Sequence, residues 1–322
     1  MNAQQVSFYR AVISQHSKSF AFASRLLPNE SRYAVLVVYA WCRRADDAID
    51  YATGADQKLA LAKLEAELDA IEAKQPLTDR VVCGFAEVIR KYDIPLVYAR
   101  ALLAGMRMDV ESTRYESWTD LLLYSYRVAS VVGLMLCHLL GVREPKALVH
   151  AAHLGFAMQL TNIARDLKED AERGRVYLPR RAWGVEQGAL EPDEVAGKSS
   201  AELAPILKQV LDLADDYYAS AWRGIGLLPL RSALAVATAL VIYRAIGTRI
   251  RALNYDVMSQ RVVVSTWDKI RLCIFAVFRV LRQRLGAPAF RRCSLREVTF
   301  DEVYRHQPLD GGTLAAGAWT TS

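Results

Sequence analysis

Between Gln159 and Asp170, the side chains of Asn162, Asp166 and Asp170 recur at i, i+4 and i+8. On an α-helix that spacing stacks three oxygen donors along one face, about one turn apart. Ile163, Ala164 and Leu167 between them are apolar or small and suit a packed flank. A row of mutually repelling acceptors needs a compensating cation, and hard oxygens suit Mg²⁺. Taken alone, the same pattern equally describes a solvated acidic helix end.

A second row shifts the balance. Asp46 and Asp50 are again i, i+4, and they follow the apolar run from Tyr33 through Tyr39 to Cys42. Carboxylates next to a core are unfavourable unless paired or metal-bound. Two such rows on apolar helices can face each other across a cavity and hold Mg²⁺ between them. Magnesium commonly completes its octahedron with substrate phosphate oxygens, so the ligand predicted is a diphosphate.

The chain of 322 residues, 52% hydrophobic, is long enough for one large core, and no strong linker divides it. The expectation is one helical domain over residues 1–290 and a partly disordered tail over 291–322. Cys42, Cys83, Cys137, Cys273 and Cys293 have no metal-binding spacing, which suits a reducing, cytoplasmic setting. The polar opening Met1-Asn-Ala-Gln-Gln predicts no secretory signal, and no stretch of spanning length is free of charge. A net charge of +6 suits nucleic acid, anionic lipid or a phosphorylated substrate. No nucleic-acid reading module is present, so nucleic acid is excluded as a partner.

Helical patterns dominate from end to end. Residues 4–14 read as an amphipathic helix, and His16, Ser17, Lys18 and Ser19 after it offer donors for phosphate oxygens. A helix starts at Pro28-Asn29 and runs to the first aspartates, with Arg43 one turn before Asp46. Helices follow near 57–75, 79–91 and 95–109. Residues 121–140 are almost wholly apolar, with Tyr126, Ala129, Gly133 and Leu136 or Cys137 at helical spacing. That stripe of small residues leaves room for an apolar chain, or for a closely packed helix.

Residues 144–172 read as one continuous helix whose Ala151, Gly155 and Met158 extend the aspartate face into an apolar stripe. One face thus carries a charged end and a greasy end. Arg173 or Arg175, just beyond, can fold over a phosphate. Residues 186–199 read as a surface loop, and 201–217 and 234–251 as helices. Residues 267–285 alternate Lys269, Arg271, Arg279, Arg282 and Arg284 with Leu, Ile, Phe and Val. This basic, apolar helix either lies on an anionic membrane or packs on the core.

Taken together, His16-Ser-Lys-Ser-Phe20, Tyr39-Ala-Trp-Cys-Arg43, Asp46-x-x-x-Asp50, Tyr126-x-Val-Ala, Gln159-Leu-Thr-Asn-Ile-Ala-Arg-Asp166 and Gly174-Arg-x-Tyr-Leu-Pro179 resemble the squalene/phytoene synthase family. The match runs in order from about residue 16 to about 265 and looks most like the bacterial phytoene-forming branch. It implies an all-α, isoprenoid-synthase-type helical bundle around a central cavity. It also implies Mg²⁺, with Mn²⁺ as a substitute, and head-to-head condensation of two prenyl diphosphates. By the same resemblance Asp46, Asp50, Asn162, Asp166 and Asp170 hold metal. Arg43 and Tyr126 join the aspartates in catalysis. His16, Ser17, Lys18, Ser19, Tyr39, Arg43, Gln159, Asn162, Arg165, Tyr243 and Arg261 contact substrate.

The implied reaction is phytoene formation from two geranylgeranyl diphosphates through a cyclopropyl diphosphate, without NADPH. The alternatives are squalene, presqualene diphosphate or dehydrosqualene formation from farnesyl diphosphate. Ser130, where many relatives carry Gly, and Tyr51, where many continue the acidic run, depart from the family pattern. The implied setting is cytoplasmic and peripheral to an anionic membrane, with downstream carotenoid enzymes as partners. A di-iron bundle would require Glu-x-x-His pairs, and none of the five His has that spacing. A chain-elongating prenyltransferase would lack the ordered motifs. A non-catalytic prenyl-lipid carrier would have little use for two ligand rows.

Overall fold

The computed structural model describes residues 8–9, 23–184 and 191–285, and every regular element among them is helical. The fold is all-α, as expected. Residues 16–19, most of the 4–14 segment and the 291–322 tail lie outside the described residues.

The first helix, α1 (Asn29–Asp50), starts directly after Pro28 and buries Val35, Val37, Val38, Trp41, Ala45 and Ile49. Trp41 stacks flat on Phe85 at 4.2 Å between ring centroids, which locks α1 to α3 (Arg80–Tyr92). Between them α2 (Ala55–Glu72) turns Leu61, Leu64 and Leu68 inward, one stripe at helical spacing. Asp79 caps α3 by accepting from the Val81 and Val82 amides at 2.8 and 3.0 Å. The fourth helix, α4 (Leu96–Val110), begins after Pro95 and ends with Asp109 in its last turn.

The predicted helix over 121–140 is broken into three parts: α5 (Trp118–Ser125), a π turn (Tyr126–Ser130) and α6 (Val131–Leu139). A π turn holds one residue more than an α turn, so everything upstream is rotated by about 100°. The expected face through Tyr126 is therefore displaced, and Tyr124 takes its place. Close approach of α7 (Pro145–Arg165) explains the position of the π turn. A Cβ on Gly155 would sit 2.4 Å from the Cα of Ser130, and Ser130 Oγ donates to the Ala152 carbonyl at 2.7 Å. Ser130 is thus a fully buried helix-crossing residue, which is the structural content of the departure from Gly.

The anchor helix also breaks. It runs as α7 to Arg165, and α8 (Leu167–Glu172) follows after Asp166, whose φ and ψ are −99° and 14°. Arg165 Nε donates to the neighbouring Asp166 carboxylate at 2.8 Å. Adjacent residues on a helix do not face each other, so this pairing requires Asp166 to leave helical geometry. The segment expected to be a loop contains α9 (Pro192–Ala196). Two long helices, α10 (Ser200–Ile225) and α11 (Leu230–Ala252), then flank α7, and α12 (Thr266–Arg284) packs on α11. Residues 118–139 and α11 are long and apolar enough to cross a membrane by length and composition, yet each has more than half of that stretch buried inside the bundle.

Candidate active site

A cavity of about 680 Å³ runs down the bundle, within the ~300–1,000 Å³ usual for small-molecule sites. Of the residues singled out in the sequence, Tyr39, Arg43, Asp46, Asp50, Gln159, Asn162, Arg165, Asp166, Asp170, Tyr243 and Arg261 line it together. Tyr126 does not. Displaced by the π turn, it is fully buried, its ring centroid 6.5 Å from that of Phe156.

One end of the cavity is built from helix C-termini. α1 ends in Asp46, Asp47 and Asp50 with no basic residue in its last turn, α4 ends in Asp109, and α7 ends at Asp166. Each of these ends carries the negative pole of a helix dipole, so acids there are doubly disfavoured. Arginines offset them. Arg43 donates to Asp46 at 2.9 Å and also to Asp47, and Asp50 accepts from Arg175 at 2.9 Å and Arg173 at 3.3 Å. Arg165 and Arg261 share Asp166, the latter at 3.1 Å, and Arg261 reaches Glu169 at 3.3 Å.

The compensation is incomplete. Asp46 keeps 48% of its side chain exposed, yet the desolvation it does undergo, reinforced by Asp50, pushes its carboxyl up to about 6 despite Arg43. Burial and then Asp166 push Asp170 up to about 8. Asn162 Oδ1 is buried with no hydrogen-bond partner. An orphaned acceptor beside under-compensated carboxylates fits a hard divalent cation. Mg²⁺ is commonly held by one or two carboxylates and completes its shell with phosphate and water.

Sequence reasoning missed a cluster at the same end. Asp109, Tyr124 and Tyr177 line the cavity, and both phenols donate to the Asp109 carboxylate, at 3.0 and 2.8 Å. The two rings stack at 4.7 Å, and burial raises both phenols well above their ordinary pKa, so they stay neutral. A signal for Asp109 was present: an acid in the last turn of an apolar helix opposes the helix dipole.

The other end is greasy. Ala147, Ala151, Leu154 and Met158 of α7 face Val132, Gly133 and Leu136 of α6, Ile225 at the end of α10 and Leu228 just beyond it. From Ala147 to Asp166 the α7 wall extends about 28 Å. His150 is the main polar side chain in this half. Its Nδ1 lies 3.0 Å from Ser220 Oγ, which also contacts His153 Nδ1 at 2.5 Å.

The squalene/phytoene synthase sequence profile matches residues 13–268. The chain belongs to this family. It is 40% identical over 292 residues to a 15-cis-phytoene synthase from Enterobacter agglomerans, covering 87% of this chain and 97% of that one. A 15-cis-phytoene synthase from a Paracoccus species is also 40% identical, over 88% of this chain and 94% of its own. Among solved structures, a ligand-bound dehydrosqualene synthase superposes with a TM-score of 0.75 at 30% identity, over 85% of this chain and 95% of that one. Squalene synthase from Alicyclobacillus acidocaldarius gives 0.70 at 25% identity, over 78% and 95%. These likenesses accord with the isoprenoid-synthase type of bundle.

Proposed function

We propose that this protein is a prenyltransferase that joins two geranylgeranyl diphosphates head to head to give phytoene and two diphosphates, as its 15-cis-phytoene synthase relatives are named to do. The observation that carries this reading is one cavity whose α7 wall, about 28 Å long, runs from acids and arginines at one end to an apolar stretch of about 16 Å, Ala147 to Met158, at the other. A diphosphate on a long hydrocarbon fits both ends at once.

Asp46, Asp50, Asn162, Asp166 and Asp170 would hold Mg²⁺, or Mn²⁺ in its place. The ions would neutralise diphosphate charge as the C–O bond breaks. Arg43, Arg165, Arg173, Arg175 and Arg261 now hold carboxylates. They would turn to phosphate oxygens as substrate and cation arrive, so the charge they stabilise changes owner without new groups being buried. Ionisation of one donor gives an allylic cation that alkylates the 2,3 double bond of the second chain, and loss of a proton from that chain closes the ring to a cyclopropylcarbinyl diphosphate. Its own ionisation, rearrangement and loss of a proton give phytoene. The neutral rings of Tyr124 and Tyr177 offer π density to the cation, and the apolar wall excludes water that would quench it.

A hydrocarbon product supports work at a membrane surface, where downstream carotenoid enzymes would draw product from the bilayer. No hydride is consumed, so NADPH is not required. Incubating the pure protein with labelled geranylgeranyl diphosphate and Mg²⁺ tests the whole reading. Phytoene should accumulate equally with and without NADPH. A product made only from farnesyl diphosphate, or only with NADPH, would move the chain to another branch of its family.

A further inference from the structure

Helices packed on a core usually turn their apolar side inward. α12 presents apolar side chains on both sides. Its inward positions include small or partly polar groups: Ala276 and Val280 are buried, and Arg279 lies over the Trp222 ring at 3.8 Å. Its outward positions, three or four residues apart, are Trp267 (77% exposed), Ile270, Ile274 (66%), Phe278 (63%), Leu281 and Leu285 (87%). That makes a continuous apolar stripe about 27 Å long. Soluble monomers rarely expose such a surface without a partner for it.

The stripe ends where the cavity ends. The last turn of α12 clamps the end of α10 and the turn after it: Gln283 Nε2 donates to the Trp222 carbonyl at 3.2 Å, and Arg284 donates to the Leu228 carbonyl. Within that turn Leu228 lines the cavity, whereas Leu227 and, at the start of α11, Leu230 are exposed. A single turn of chain therefore separates the apolar end of the cavity from an apolar exterior.

We propose that the outward face of α12 and the α10–α11 turn form one lipid-embedded surface, through which the hydrocarbon product leaves the cavity floor for the bilayer. The passage of product rests on the function proposed above; the lipid surface does not. Exposed Arg271 flanks the stripe on a chain of net charge +6. Anionic headgroups would attract that positive surface, whereas a second copy seated on the stripe would bring two chains of like net charge together.

Flotation with phosphatidylcholine vesicles, with and without phosphatidylglycerol, tests the surface. The protein should float with both, more strongly with the anionic lipid and less at high salt. The combined variant Trp267→Ser, Ile274→Ser, Phe278→Ser should partition about a hundredfold more weakly. Its melting temperature and single-turnover rate on detergent-dispersed substrate should match the wild type. Leu227→Asp should keep most vesicle binding yet lose the rise in steady-state turnover that vesicles give the wild type. Undiminished flotation of the triple variant overturns the proposal. So does loss of a dimer in that variant by sedimentation equilibrium, which would assign the stripe to a second copy. A fall in its melting temperature would assign the stripe to the chain's own residues beyond 285. Absence of phytoene in the wild-type single turnover would refute the proposed function instead, leaving the vesicle binding to stand by itself.

Discussion

α7 carries both ends of the cavity, and the two ends are held together by opposite means. At Asn162 and Asp166 it meets charges of both signs, a buried acceptor without a partner and carboxyls pushed far above their ordinary range. At Ala147 to Leu154 it meets aliphatic side chains and one neutral imidazole–hydroxyl cluster. The charged end is under-satisfied as it stands and gains from a ligand. The apolar end is lined by hydrocarbon and neutral groups, and its dimensions decide which ligand enters. Chemistry is expected to be sensitive at the first end and selectivity at the second.

The largest separation should come from Asp46→Asn and Asp166→Asn. Each removes a charge where the cation would sit, so turnover should fall about a thousandfold or more. Asp46 is not needed for packing, so circular dichroism and melting of its variant should stay near the wild type. Asp166→Asn also takes the carboxylate from Arg165 and Arg261, so it should keep its helicity but melt lower. Near-normal turnover at saturating Mg²⁺ in either variant would remove the metal role from that aspartate.

Next in size is Ala151→Phe, which projects a ring into the apolar half. Turnover of geranylgeranyl diphosphate should fall roughly tenfold to a hundredfold, with a shorter farnesyl chain affected less. Product analysis from competing C15 and C20 substrates measures the ratio. An equal loss on both substrates would mean that the greasy end does not measure chain length.

The residues that were legible in the sequence are those that repeat on a regular helix. Asp46 with Asp50, and Asn162 with Asp166, announce themselves by spacing, and all reach the cavity. Tyr124 and Tyr126 could not be ranked, because the π turn that rotates one inward and the other away depends on how closely Gly155 approaches Ser130. Asp109 stands alone in its helix, and only the fold brings Tyr124 and Tyr177 onto it. The amphipathic character of α12 was equally legible, but periodicity alone does not say which face looks outward. Its membrane reading also leaned on Arg279 and Arg284, which the fold commits to Trp222 and the Leu228 carbonyl.

A pH experiment separates the ends more gently. Asp46 and Asp170 hold their protons up to about 6 and about 8, against an ordinary value of 3.8. The folded state thus binds more protons than the unfolded one, so the cation-free protein should lose stability as pH rises through this range. At the other end, burial lowers His150 from 6.5 to about 4, so that end should lose stability only as pH falls below 6.5. Melting temperature in EDTA should therefore decline from pH 6.5 to 8.5. Adding Mg²⁺ with inorganic diphosphate should flatten the decline, because the bound cation takes the place of the protons. A decline unaffected by that addition would mean that the carboxylates do not meet the ligand.

The smallest effect on turnover is expected from Ser220→Ala. The Ser220 hydroxyl has one proton and touches Nδ1 of both His150 and His153. It can donate to only one of them, so it must accept from the other, and the two rings carry different tautomers. Removing the hydroxyl strands a buried N–H on one ring and a buried lone pair on the other. Urea denaturation at pH 7.5 should show a loss of about 1–3 kcal/mol. Turnover should stay within about twofold, because neither ring lies at the charged end where bonds break. If turnover instead fell more than tenfold with stability intact, the neutral imidazole of His150 would be a participant in the reaction. The division of the cavity into a reacting end and a measuring end would then have to be redrawn around it.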